Sequence, residues 1–244
     1  MQLTVKQKLH LAEFGYVKLE GVVPQVMVEE ARRSINRALD PGHASPKEEL
    51  QRLQRSEEIV GLYHKTPAAE LAGSVVDASK LQPITSAQIA LRMPLSQDRI
   101  RRLQPHLDGM YFPGNGVKEG TIGNFTLLMG ILLSDLPETD AGNFTVWPGT
   151  HLQCADYFRK HGAESLLEGM PKIDWPEPVQ ITGKEGDVIL AHYLLGHSAG
   201  HNDSPNIRYA AFFRLIDRRI KEERWQDSMI DLWMHWPGMQ QYVR

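Results

Sequence analysis

Gly186-Asp187-Val188-Ile189-Leu190-Ala191-His192-Tyr193-Leu194-Leu195-Gly196-His197 is the stretch whose reading decides the fold. Gly186-Asp187 is a turn signal that feeds an apolar strand over residues 187–192, and a short apolar run bounded by turns reads as a buried strand. The chain then reverses near Gly196, and His197 opens the next strand. Outward from this pair, strands are expected at 88–94, 125–134, 143–147, 179–182, 197–201 and 207–215. Turn signals separate them: Pro113-Gly114-Asn115-Gly116, Asp140-Ala141-Gly142, Lys184-Glu185-Gly186 and Asn202-Asp203-Ser204-Pro205-Asn206. Many short strands at such spacing predict a sandwich or jelly roll over residues 81–216.

The flanks read differently. Thr4 can cap a helix through about Phe14, and a strand follows over 15–19. A helical run at 25–39 ends at Asp40-Pro41-Gly42, a charged helix starts near Lys47, and another covers 67–71 and stops near Gly73. Residues 1–80 are therefore mostly helical, and the tail over 217–244 is expected to form a helix that packs back on the barrel. The expectation is one mainly β domain with flanking helices.

The 244 residues suffice for one sizeable core. A formal net charge of −3 gives no nucleic-acid footprint. The pairs Arg32-Arg33, Arg101-Arg102 and Arg218-Arg219 are scattered among acidic neighbours and read as solvated faces. Cys154 stands alone, so no intrachain disulfide is possible, and it reads as an incidental thiol. No secretory core or membrane-length apolar run is evident, and the C-terminus carries no peroxisomal address. Cytoplasm is the default location, with no membrane partner expected.

Chemistry concentrates in two places. On a strand, residues two apart point the same way, so His106-Leu107-Asp108 presents two ligands to one side. A His-x-Asp pair alone is weak evidence, and the chain holds a second, His201-Asn202-Asp203, set against a turn where Asp203 is expected to bond locally. The first copy is followed by the strand-rich region and His197. Two histidines and a carboxylate with open positions suit an iron(II) that activates O2. Arg208 lies eleven residues past His197, beyond a turn that can return it to the site, where a permanent cation suits a carboxylate.

Four segments together resemble the phytanoyl-CoA dioxygenase (PhyH-like) family of iron(II)/2-oxoglutarate oxygenases. They are Phe14-Gly15-Tyr16-Val17 with Gly21-Val22-Val23-Pro24; His106-Leu107-Asp108 with Tyr111-Phe112-Pro113; the run from Gly142 to His151 containing Pro148-Gly149-Thr150-His151; and Gly186-Asp187, His192, His197, Asn202, Ser204 and Arg208. The resemblance implies a double-stranded β-helix with iron(II) on His106, Asp108 and His197 at one mouth. It also implies 2-oxoglutarate chelated through its keto acid end, its far carboxylate on Arg208, and Gln88 and Arg92 approaching the same cosubstrate. Two positions depart from the pattern, Gly130-Ile131 where an aromatic residue is common and Ala199 where a small hydroxyl residue is common.

What this implies is hydroxylation of an unactivated C–H bond in a small organic metabolite, with O2 consumed and succinate and CO2 released. Retention of Asp108 favours hydroxylation over halogenation. Two other readings stay open, a non-catalytic β-helix binding module and a cupin-like metalloenzyme independent of 2-oxoglutarate. Tyr111, Phe112 and Trp147 are candidate substrate contacts, and the loop at 114–123 a candidate lid. His192 is expected to pack in the core or behind the ligands, and His151 to stabilise its turn. Trp225, Trp233 and Trp236 could offer a homodimer face.

Overall fold

The computed structural model describes residues 1–40, 42, 45–94, 103–113, 116–222 and 224–243. Pro41 of the expected turn, the pair Arg101-Arg102, and Gly114-Asn115 of the expected turn and lid lie outside the described residues.

Helix α1 (Val5–Phe14) starts in a capping box. The Thr4 side chain accepts from the Gln7 N–H, and the Gln7 side chain accepts from the Thr4 N–H. It stops at Gly15, whose φ of 81° closes the last turn and leads into β1 (Tyr16–Leu19). Helices α2 (Gln25–Ala38), α3 (Pro46–Leu53), α4 (Glu57–His64) and α5 (Ala68–Gly73) complete the N-terminal part. Then come β2 (Gln88–Arg92), β3 (Leu127–Leu132), β4 (Phe144–Val146), α6 (Thr150–His161), β5 (Val179–Gln180), β6 (Val188–His192), β7 (His197–Ala199) and β8 (Arg208–Leu215). Short helices α7 (Arg219–Glu222) and α8 (Asp227–Ile230) end the chain's regular structure, apart from 3-10 turns.

The strands form two antiparallel sheets, β1-β6-β3-β8-β2 and β5-β4-β7. This is the double-stranded β-helix. Strand β8 shows how side-chain alternation divides the labour. Tyr209 and Phe213 point to the helical side, where the Tyr209 hydroxyl donates to Asn36 Oδ1 of α2 at 2.7 Å and Phe213 packs on Tyr63 of α4. Arg208, Phe212 and Arg214 point the other way, into a cavity of about 550 Å³ lined by both sheets.

Two helices were not expected from the sequence. Helix α4 buries Ile59, Leu62 and Tyr63, and α6 buries His151, Cys154, Ala155 and Phe158. Both sets follow the three-and-four spacing of a helix face, so both were present in the pattern but masked by polar neighbours. His151 therefore belongs to a helix and not to a turn. Its Nε2 approaches the Ala12 carbonyl at 3.1 Å and so ties α6 to α1. Burial pushes the Cys154 thiol up to about 12, which leaves it inert.

The tail closes over β6. The His192 ring stacks on Trp236 at 5.3 Å, and its Nε2 donates to the Leu232 carbonyl at 3.0 Å. Trp233 and Trp236 are buried in this packing, which corrects their expected use as a dimer face. Among the described residues, no helix is long and apolar enough to cross a membrane.

Candidate metal and cosubstrate site

His106 and His197 meet because their backbones pair. The His106 N–H donates to the His197 carbonyl at 2.9 Å and the His197 N–H donates back at 3.1 Å. Reciprocal antiparallel pairing puts both side chains on one face, and the rings sit 4.5 Å apart. The segment carrying His106 makes only this bridge and is not a full strand, a departure from expectation. Asp108, two residues on, still turns to the same side. Its Oδ1 lies 3.6 Å from Nε2 of each histidine. One ligand atom from each of the three residues falls within 4.8 Å of the others.

The second histidine is held in a defined tautomer. Its Nδ1 sits 2.9 Å from the Leu195 carbonyl. A carbonyl only accepts, so Nδ1 carries the proton and the Nε2 lone pair faces Asp108. Burial alone would raise the Asp108 carboxyl. Its polar contacts with His106 and His197 and the charge of Arg214 outweigh burial and hold it well below the usual carboxylate range. Two imidazoles and an ionised carboxylate, with one side open to a cavity, suit a divalent first-row metal.

The far end of the cavity is cationic. Arg208 is 3% exposed. Its Nε donates to the Gly142 carbonyl at 2.7 Å and its Nη1 to the Ala90 carbonyl at 3.0 Å. Among the described residues no carboxylate forms an ion pair with it. Arg92, its register partner on β2, lines the same cavity, and burial with the Arg92 charge lowers Arg208 to about 10. Gly142, at φ 78°, admits this pairing, because a Cβ there would lie 2.8 Å from the Arg92 Cβ and 3.2 Å from that of Arg208. A buried, uncompensated cation costs several kcal/mol, so an anionic ligand fits this end.

The other sequence-predicted residues divide. Gln88 lines the cavity, but at the Asp108 end, where its Oε1 accepts from Arg214 Nη1 at 3.0 Å. Trp147 is buried against Trp175 and is not part of the lining, because Phe144 and Val146 take the inward positions of β4 and Trp147 takes the opposite parity. Tyr111 and Phe112 are exposed and also outside the lining. Gly109 turns the chain away with φ 92°, and a Cβ there would lie 2.7 Å from the Gly123 carbonyl oxygen. In the second His-x-Asp copy it is Asn202, not Asp203, that organises the turn. Its amide donates to the Arg92 and Asn206 carbonyls, both at 2.8 Å, and its Oδ1 accepts from the Ser204 hydroxyl.

Three residues escaped the sequence reading. Phe212, Phe144 and Arg214 all line the cavity. Phe212 and Arg214 were legible as the continuation of Arg208 at steps of two along one strand. Phe212 also accounts for the departure at Gly130. It faces Gly130 across the register, and a Cβ on Gly130 would fall 2.7 Å from its ring. The aromatic surface is thus supplied from the neighbouring strand.

With this geometry in view, comparison with known proteins becomes specific. The model of the family described as phytanoyl-CoA dioxygenase (PhyH) matches residues 11–210. No curated protein matches the sequence. Among solved structures, the non-haem α-ketoglutarate-dependent epimerase SnoN from nogalamycin biosynthesis is similar at 22% identity, with 87% of this chain and 82% of that one covered and a TM-score of 0.57. The carbocyclase SnoK of the same biosynthesis gives 21% identity, 88% and 84% coverage and a TM-score of 0.55. HygX from Streptomyces hygroscopicus, with nickel and 2-oxoglutarate bound, gives 16%, 88% of each chain and 0.52. The family match spans helix α1 to strand β8 and takes in every residue placed at the site except Phe212 and Arg214, so the chain belongs to the phytanoyl-CoA dioxygenase (PhyH) family of iron- and 2-oxoglutarate-dependent enzymes.

Proposed function

We propose that this chain hydroxylates an unactivated C–H bond of a small organic metabolite, with iron(II) on His106, Asp108 and His197 and 2-oxoglutarate between the metal and Arg208. The observation that carries the reading is the arrangement of one cavity. Three metal-type donors converge at one end, and a buried arginine that has no acidic partner among the described residues sits at the other. A keto diacid matches both ends, one for chelation and one for charge.

The bound iron and cosubstrate supply the oxidising chemistry, with O2 as oxidant and succinate and CO2 as products. The chain's own residues bind and orient. The Leu195 carbonyl fixes the His197 ring, and the Gly142 and Ala90 carbonyls aim Arg208 into the cavity. Phe144 and Phe212, 5.3 Å apart, make the apolar wall between the two ends, against the carbon chain of the keto diacid. Two of the similar structures are an epimerase and a carbocyclase, so the outcome of the reaction is the finer part of this proposal.

Anaerobic titration with Fe(II) and 2-oxoglutarate tests the site. A weak charge-transfer band near ~500–530 nm is expected from keto-acid chelation at a triad with open positions. Iron binding without the band would favour a cupin-like enzyme, and no iron binding would favour a binding module. Product mass tests the outcome. Gain of one oxygen atom is expected, whereas loss of two hydrogens or an unchanged mass would replace hydroxylation with ring closure or epimerisation.

A further inference from the structure

Arg214 occupies a position that the metal site does not obviously need. It lies on the same face of β8 as Arg208, but at the open mouth of the cavity, with 38% of its side chain exposed. Its Nε donates to Asp108 Oδ2 at 3.0 Å, and its Nη2 makes an ion pair with the same oxygen at 2.8 Å. Its Nη1 donates to Gln88 Oε1 at 3.0 Å, and its guanidinium carbon sits 5.8 Å from the centre of the Phe125 ring. Strand β8, strand β2 and an aromatic platform thus fix the group from three sides.

The consequence concerns which Asp108 oxygen is available. Oδ1 is the oxygen 3.6 Å from both histidine nitrogens, and Oδ2 is the one that Arg214 holds. The terminal torsion of an aspartate is soft, so an unclamped carboxylate can present either oxygen or both. A carboxylate that gave both oxygens to a metal would take one of the positions that a triad leaves open for other ligands.

We propose that Arg214 is a positioning residue that keeps Asp108 a one-oxygen ligand and so preserves the coordination position that the keto acid requires. This rests on the reading of the triad as the iron site. Arginine suits the task because its planar fork hydrogen-bonds and ion-pairs with one carboxylate oxygen while another N–H reaches Gln88. The ordinary alternative, a surface ion pair that only stabilises the strand, predicts no effect on ligand chelation.

The test uses the full chain and the variants Arg214→Met, Arg214→Gln and Arg214→Lys, with folding checked by circular dichroism. Co(II) affinity is measured by calorimetry, and 2-oxoglutarate affinity by titration of the Fe(II) charge-transfer band. Replacing the outer partner of a metal ligand commonly changes affinity by about 10–100-fold. Here the expected result is split: metal affinity within about threefold of the parent, but a 2-oxoglutarate midpoint raised about tenfold or more in R214M, with R214K in between. An unchanged 2-oxoglutarate midpoint in folded R214M or R214Q overturns the proposal while leaving the iron reading intact. Equal losses of metal and 2-oxoglutarate affinity overturn it in favour of simple ligand support. Failure of all three variants to fold overturns it in favour of a structural role. A parent protein with no band overturns the iron reading and this inference together.

Discussion

Arg208 and Arg214 share one face of one strand, yet their surroundings are opposite. They lie six positions apart, about 20 Å along the strand, so they mark the two ends of the cavity. Arg208 is buried, fixed by carbonyl oxygens among the described residues and set beside another arginine. Arg214 is partly exposed and paired with a carboxylate. A cation with no acidic partner among the described residues, where water is scarce, implies that something else supplies the charge. A cation already paired implies that its partner is what needs control. The same residue type therefore reads as a ligand anchor at one end and as a clamp at the other.

The largest expected effect breaks the metal end. Asp108→Ala removes the only carboxylate of the triad and leaves Arg214 facing the two histidines. Since an outer-shell change alone is worth about 10–100-fold, loss of the ligand itself should weaken Co(II) binding by about 100-fold or more. Calorimetry on the folded variant measures this, and parent-like affinity would remove the triad as the metal site.

The next prediction separates the two arginines. Arg208→Met should weaken 2-oxoglutarate binding by about 2 kcal/mol or more, roughly 30-fold, because a buried charge pair loses one partner. Without ligand, the same variant should melt at an equal or higher temperature, since an apolar side chain of similar length replaces an unpaired buried cation. Lower affinity with higher stability is the signature of an anchor. A loss of both would make Arg208 a structural residue instead.

A smaller effect follows at Gly142. Its φ of 78° and the 2.8 Å approach to the Arg92 Cβ leave no room for a side chain. Gly142→Ala should cost about 1–3 kcal/mol in denaturant unfolding, through backbone strain and displaced arginines. It should also raise the 2-oxoglutarate midpoint. A stability loss with an unchanged midpoint would separate Gly142 from the cationic end.

How much of this was legible in the sequence depended on periodicity. The strands read correctly because each is a short apolar run between turn residues, and both sheets follow from them. His106, Asp108 and His197 were identified as a set before any pairing was visible, and the structure adds why they meet: the backbones of His106 and His197 pair across an isolated bridge. Parity was the signal left unused. Carried from Arg208 along β8, it leads to Phe212 and Arg214; carried from Phe144 along β4, it turns Trp147 away from the cavity. Tyr111 and Phe112 were misplaced for another reason. Their position depends on the turn at Gly109, which meets Gly123 fourteen residues later, and no local pattern encodes that contact.

A buried histidine pair completes the contrast, because histidine can give up its charge where arginine cannot. His151 and His192 lie 5.4 Å apart, packed against Trp233 and Trp236. Burial lowers His192 to about 4, and burial with the His192 charge lowers His151 to about 3, against an ordinary value of 6.5. Both rings are neutral in the folded chain at pH 7. As pH falls below 6.5 the unfolded chain takes up protons that the folded chain refuses, so stability declines toward pH 4 and is complete only above about 6.5. Each ring contributes a slope of at most about 1.4 kcal/mol per pH unit, and about a quarter of that at pH 7. Denaturant unfolding of the metal-free protein between pH 7 and pH 5 measures the slope. His192→Asn should flatten it by about one proton, whereas Arg208→Met should leave it unchanged. If His192→Asn left the slope intact, the acid sensitivity would lie elsewhere, and the packing of the Trp-rich tail would not depend on a neutral ring.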